Sequence, residues 1–129
     1  MKTINFLSLL AIVIVLSALT TALRSAQEPA DANPGHITPE HQAKAKEIYS
    51  IDCAMCHGTD GRGKTDLNTS MNLALKDWTD PATFGSKTDK QLFNIIRNGS
   101  EKMPPEATGR ASDEVVWNIV HYVRNLASK

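Results

Sequence analysis

The sequence predicts a small all-α domain over residues 38–129, behind an N-terminal leader that is not part of the fold. Two observations predict it. Apolar residues recur at three- and four-residue intervals in three stretches, each behind a recognisable helix start. At the end of the first stretch stands Cys53-Ala54-Met55-Cys56-His57, which holds both cysteines of the chain beside a histidine. The 129 residues carry fourteen basic and fourteen acidic side chains, so there is no overall field that would draw the protein to DNA or RNA. The charges are scattered rather than blocked, the pattern of a solvated surface.

In the leader, Lys2 precedes an apolar run from Ile4 through Phe6, Leu7, Leu9 and Leu10 to Leu16, the pattern of a secretory signal. Thr20-Thr21-Ala22 is a tolerable cleavage site, whereas Arg24 spoils the next candidate, which ends at Ala26. Ile4 to Leu23 is also about twenty residues, long enough to span a bilayer, although Asn5, Ser8, Ser17, Thr20 and Thr21 dilute it. Residues 1–23 are therefore either a signal peptide or an uncleaved membrane anchor. Both place the domain in the periplasm or otherwise outside the cytoplasm. Residues 24–37, with three Ala, two Pro and no helical or alternating pattern, read as a flexible linker.

The first domain helix opens at Thr38-Pro39, a side-chain oxygen for the N-cap and a proline where no amide donor is needed. It is expected to run to Cys53 or slightly beyond, with Ala45, Ile48 and Tyr49 on one side and Ile51 and Ala54 near it. That stripe is narrow and small, which suits close approach of another helix. If the cysteine cluster is its last turn, Cys53 and His57 lie one turn apart on one face and Cys56 lies on the same side. The spacing Cys-x-x-Cys-His is that of covalent c-type haem attachment. Two thiols add to the porphyrin vinyl groups as thioethers, and the imidazole reaches the iron as proximal ligand. A redox disulfide ordinarily rides on a strand-then-helix unit, and no strand is read ahead of Cys53. A zinc site needs about four ligands, and no second Cys or His pair closes one. Two structural cysteines beside a chance histidine are the remaining reading. A haem would supply apolar surface that so short a domain lacks.

Gly58-Thr59-Asp60-Gly61-Arg62-Gly63-Lys64-Thr65 satisfies the phosphate-binding loop pattern. Such a loop needs a strand feeding it and a helix leaving it. A helix precedes this one, so nucleotide binding is not expected, and the glycines are read as letting the backbone turn tightly at the haem edge. Residues 66–86 read as an irregular loop wrapped on a cofactor, with Leu67, Met71, Leu73, Leu75, Trp78 and Phe84 as inward anchors. The Trp78 indole either donates to a haem propionate or simply packs.

Thr88-Asp89-Lys90-Gln91 is a capping box opening a short helix with Leu92, Phe93, Ile95 and Ile96 on its apolar face, closed by Asn98-Gly99. In Ser100-Glu101-Lys102-Met103-Pro104-Pro105 the prolines forbid helix and bias Met103 to extended backbone. Such a strap can project the Met103 thioether onto the iron face away from His57, so Met103 is the expected distal ligand. Met71 lies in a less constrained loop, Met55 sits between the cysteines, and Met1 is outside the domain. His121 is read as an ordinary, partly exposed histidine. The last helix starts near Ser112, with Asp113 and Glu114 in its first turn. Val115, Val116, Ile119, Val120, Val123 and Leu126 form its broad apolar face, expected to cross the Ala45/Tyr49 face of the first helix.

Over residues 39–127 the chain resembles the bacterial class I monohaem c-type cytochromes. The resemblance rests on Ala45-x-x-x-Tyr49 before Cys53-Ala54-Met55-Cys56-His57-Gly58, on Gly61 and Gly63, on Ile95-Ile96-Arg97-Asn98-Gly99 before Met103-Pro104, and on Trp117 through Tyr122-Val123-Arg124. It implies a cytochrome c-like helical fold around one haem c attached through Cys53 and Cys56, with His57 and Met103 as axial ligands. It also implies electron transfer between a redox protein donor and acceptor, by a monomer that is not an enzyme. In many members a proline after the haem-binding histidine marks the segment whose carbonyl accepts the imidazole's other proton. Here no proline falls between His57 and Pro81, and a carbonyl around Ser70 to Leu73 is the expected substitute. Two alternatives stand beside a free carrier: an electron-relay subunit of a membrane-bound oxidoreductase, and a haem enzyme or gas sensor whose sixth ligand is labile.

Overall fold

The structure is a computed structural model, and it describes residues 33–127. The leader 1–23 and the first part of the linker lie outside the described residues. Helix α1, Pro39–Ile48, opens where Thr38 Oγ1 accepts from the His41 amide at 3.1 Å. Its ladder then slips to a π-helical segment, Tyr49–Cys53, in which the Ala54 amide reaches back five residues to the Tyr49 carbonyl. It resumes as α2, Ala54–His57. The slip corrects one expectation. Tyr49 and Ala54 come onto the same buried side, and Ile51 is turned out, 58% exposed.

Residues 66–86 hold more structure than expected. Thr65 accepts from the Asn68 amide to start α3, Asp66–Met71, which left-handed Asn72 ends. A 3-10 turn follows at Pro81–Thr83 behind Asp80. Of the anticipated anchors, Phe84 is buried and Leu67, Leu73, Leu75 and Trp78 are half-buried, whereas Met71 is exposed. Helix α4, Asp89–Asn98, has both bonds of the Thr88–Gln91 capping box. Helix α5, Asp113–Leu126, is capped by Ser112.

Helix α5 packs against both α1 and α4. The α1 crossing is close because Ala45 is completely buried, with Ile48, Tyr49, Val116, Ile119 and Val120 around it in one core. The Tyr49 and Tyr122 rings meet at 4.9 Å. At the same crossing the buried Asn118 accepts from Gln42 Nε2 at 2.7 Å and donates to the carbonyls of Glu114 at 2.9 Å and His36 at 3.2 Å. Arg124 on α5 ties down the start of α4 through Asp89 at 2.8 Å and the Lys87 carbonyl at 2.6 Å. Residues 33–37, which composition assigns to the linker, lie on α5. Asn33 Nδ2 donates to the Trp117 carbonyl at 2.8 Å, and the His36 amide donates to the Glu114 carboxylate.

Lengthening Ala45 forces the two helices apart. Ala45→Leu is expected to cost about 1–3 kcal/mol, seen as a lower urea midpoint at unchanged denaturant slope.

Candidate haem site

The π-helical segment and α2 deliver Cys53, Cys56 and His57 to one wall of a cavity of about 620 Å³. Trp78, Leu75, Ile96, Met103, Ile119 and Val123 also line it, and the size falls in the usual range for small-molecule sites. All five residues singled out from the sequence, Cys53, Cys56, His57, Trp78 and Met103, therefore face a single cavity. His121 and Met71 do not line it. Met55 does, with 60% of its surface exposed.

The glycine-rich loop after α2 binds back onto the helix that precedes it. The Gly63 amide donates to the His57 carbonyl at 2.7 Å, the Thr65 hydroxyl to the Cys56 carbonyl at 3.2 Å, and the Gly58 amide to Ala54 at 2.8 Å. The Tyr49 hydroxyl donates to the Gly58 carbonyl at 2.7 Å, and burial pushes its pKa up, so it keeps that proton. An amide that a phosphate loop would offer to a ligand is thus used to end the cysteine-bearing helix. Left-handed Gly61 sits so close to Leu126 that a Cβ there would meet the leucine Cδ1 at 2.8 Å.

His57 is 9% exposed, and burial lowers its pKa to about 4, so the ring is neutral at neutral pH, the form that ligates a metal. Its Nδ1 is buried with no hydrogen-bond partner, and no carbonyl around Ser70 to Leu73 reaches it. The Trp78 indole instead lies flat on the imidazole, centroids 3.9 Å apart and planes 22° apart. The Trp78 amide bonds the Gly61 carbonyl at 2.8 Å, which fixes that stacking partner to the loop. Cys53 and Cys56 are free thiols. Burial, with Glu106 and Cys56 adding to it, pushes the Cys53 thiol up to about 11.

Met103 is held in a tight turn. Its amide and carbonyl pair with those of Ser100 at 2.8 and 3.0 Å. Left-handed Gly99 lets the chain leave α4 and pass beneath the strap. Arg97 fastens the far side, donating to the carbonyls of Glu106 at 2.8 Å and Ala111 at 2.9 Å, while the Glu106 amide bonds Ile96 at 2.9 Å. Lys102 Nζ crosses to the Met71 carbonyl at 3.4 Å. The charged lining residues Asp52, Glu106 and Arg110 escaped the sequence reading, since Asp52 comes from a segment far in the chain from the Glu106/Arg110 pair.

Two thiols, a neutral buried imidazole with an unpartnered nitrogen, and a thioether around one largely apolar cavity fit a covalently held haem. With the strand-free helical fold of the described residues, they define a c-type cytochrome domain. The chain belongs to the family of the cytochrome c oxidase, cbb3-type, subunit III, whose pattern matches residues 40–123. It is 32% identical over 89 residues to the "Cbb3-type cytochrome c oxidase subunit CcoP" of Rubrivivax gelatinosus, covering 69% of this chain but 27% of that protein, so the chain spans about a quarter of that relative's length. It is 28% identical over 87 residues to "Cytochrome c6" of Parathermosynechococcus lividus, covering 67% of this chain and 92% of that one. Among solved structures it is similar to the "KustC0563 c-type cytochrome", with a TM-score of 0.54 and 26% identity, covering 64% of this chain and 95% of that one. Family membership implies covalently bound haem c.

A Cβ at Gly99 would lie 2.6 Å from the Met103 carbonyl, in left-handed backbone, whereas nothing lies within 4 Å at Gly109. Gly99→Ala is expected to lower stability by about 1–3 kcal/mol, and Gly109→Ala to leave the thermal midpoint unchanged within error.

Proposed function

We propose that this domain carries single electrons outside the cytoplasm on one haem, attached through Cys53 and Cys56, with His57 and Met103 as its axial ligands. The observation that carries the reading is the convergence of both thiols, the imidazole and the Met103 segment on one cavity. The haem supplies reversible one-electron chemistry and makes or breaks no bond in a substrate. The chain's residues do the rest. His57 offers a neutral nitrogen, and Trp78 holds the ring plane by stacking. The Ser100–Met103 turn and the Arg97 bonds hold the strap that carries the thioether. Ile96, Ile119 and Val123 exclude water, which keeps charge changes in the cavity from being screened. With His57 and Met103 both holding the iron, a bound haem would have no open position for a substrate, so the domain would be a carrier rather than a catalyst. A soft sulfur ligand favours the ferrous state relative to two histidines.

The family match and the CcoP relative support a second reading, in which the domain relays electrons as a subunit of a membrane-bound oxidase. The cytochrome c6 relatives, two of which it matches over 92% of their length, support a shuttle between a redox donor and acceptor. The mature N-terminus separates them. Met1 or Lys2 retained in membranes supports residues 1–23 as a tether, whereas a start between Leu23 and Ala32 supports a free carrier.

Intact-mass spectrometry of the chain made in a haem-attaching host tests the central reading. One added haem is expected, and a colourless product with two free thiols rejects it. Met103→Ala is expected to keep the haem, lower the reduction potential and bind carbon monoxide when reduced. An unchanged absorption spectrum would remove Met103 from the iron and favour a different sixth ligand.

A further inference from the structure

Glu106 is a strap residue for which electron carrying alone gives no role. It lines the same cavity as Cys53, His57 and Met103. Its side chain is 11% exposed, and Oε1 is buried with no hydrogen-bond partner. The backbone is fastened on both sides, amide to Ile96 and carbonyl from Arg97, so the strap cannot lift to solvate the carboxyl without breaking those bonds.

Two arginines face it: Arg97 uses both Nη nitrogens on groups other than its carboxyl and keeps a buried, unpartnered Nε, and Arg110 pairs with Asp52. From α4, Arg97 spends one nitrogen on the Glu106 carbonyl and another on Ala111 and on Asp113 of α5, at 2.9 and 2.8 Å. From the strap's own segment, Arg110 approaches Oε1 only to 3.6 Å and is ion-paired to Asp52 of the π-helical segment. Cys53, from that segment, would be an uncharged thioether once haem is attached. Two guanidinium groups thus serve three carboxylates; the buried oxygens of Asp52 and Glu106 both lack a hydrogen bond, but Asp52 is in direct ion-pair contact with Arg110, whereas Arg110 stays 3.6 Å from Glu106. Burial holds its carboxyl above the usual glutamate value of 4.5, against a weaker pull from Arg97.

We propose that Glu106 is a proton site coupled to the electron, so that reduction of the bound haem draws a proton from water onto the Glu106 carboxylate. The inference rests on the one-haem electron-carrier reading. In balance, ferric haem, the carboxylate, one electron from a reductant and one proton give ferrous haem and the carboxylic acid, and oxidation reverses both. The physical cause is the extra positive charge of the ferric form, which stabilises a carboxylate lining the same water-poor cavity. Linkage makes the effect reciprocal: whatever the electron does to proton affinity, the proton does to electron affinity. Since the carboxylate favours the ferric form, the potential falls as pH rises through the range in which Glu106 titrates and is level on either side.

The test uses the full haem-loaded chain. Its midpoint potential is measured on an electrode across pH, and proton uptake on reduction is followed with a soluble indicator dye. A sloping window with uptake of up to about one proton per electron is expected. A protonated-carboxyl infrared band should appear on reduction. Glu106→Gln should remove the slope, the uptake and the band while keeping a one-electron wave. Arg110→Gln withdraws a cation and should move the window to higher pH, which tests the idea even where Glu106→Gln fails to retain haem. A level wild-type profile, a slope surviving in Glu106→Gln, or a window unmoved by Arg110→Gln overturns the proposal and leaves the carrier reading standing. A product with no haem and no wave overturns both.

Discussion

The crossing of the first and last helices is the constraint on which the rest of the structure depends. Ala45 lets the backbones approach, and the buried Asn118 carboxamide fixes where they do so, held by Gln42, Glu114 and His36. Sliding one helix past the other would leave that carboxamide without its partners in the core, at a cost of roughly 1–3 kcal/mol per unpaired group. With both ends tied, the chain between Gly58 and Ser112 can only close as a wrap. The same crossing sets the cavity walls, since Ile119 and Val123 project from α5 while Cys53 and His57 follow directly from α1. Stability and site geometry are therefore fixed by the same packing.

Much of this was legible because it is local. Thr38-Pro39, Thr88 with Gln91, and Ser112 each declare a helix start through short-range capping, and each starts a helix in the structure. The cysteine-histidine cluster and the double-proline strap are likewise contained in a few consecutive residues. The π-helical slip was not legible. A change of one residue in hydrogen-bond register leaves no compositional mark, yet it turns Ile51 outward and brings Ala54 in. The α3 helix was hidden for another reason: at six residues its apolar positions are too few to show a period, although Thr65 and Asn72 bracket it. The Asp52, Glu106 and Arg110 group was illegible because only folding brings its segments together.

The glycine-rich loop shows how context assigns chemistry to identical letters. Gly58 through Thr65 would suit a phosphate if a strand delivered it and a helix left with its amides free. Following a helix instead, it spends the Gly63 amide and the Thr65 hydroxyl on the carbonyls of His57 and Cys56. These bonds satisfy acceptors that a helix end would otherwise leave open. They also hold the backbone of the two residues that matter most to the site.

Burial acts on the cavity's base and acid with opposite sign and the same outcome. It lowers the His57 pKa to about 4 and raises that of Glu106, so in each case the neutral form is favoured. Cys53, held up to about 11, is neutral as well. Filling the cavity with haem would turn the Cys53 thiol into a thioether and put His57 on the iron, so of these three groups Glu106 would keep its proton equilibrium, with still less water around it. The lining also carries Asp52, Glu101, Lys102, Glu106 and Arg110, and a change of charge on a bound haem iron would act on these groups. The residue that responds to that change is then decided by which nearby carboxyl has no competing partner. Asp52 and Asp113 are each in direct ion-pair contact with an arginine, whereas Arg110 comes only to 3.6 Å of the buried Glu106 oxygen.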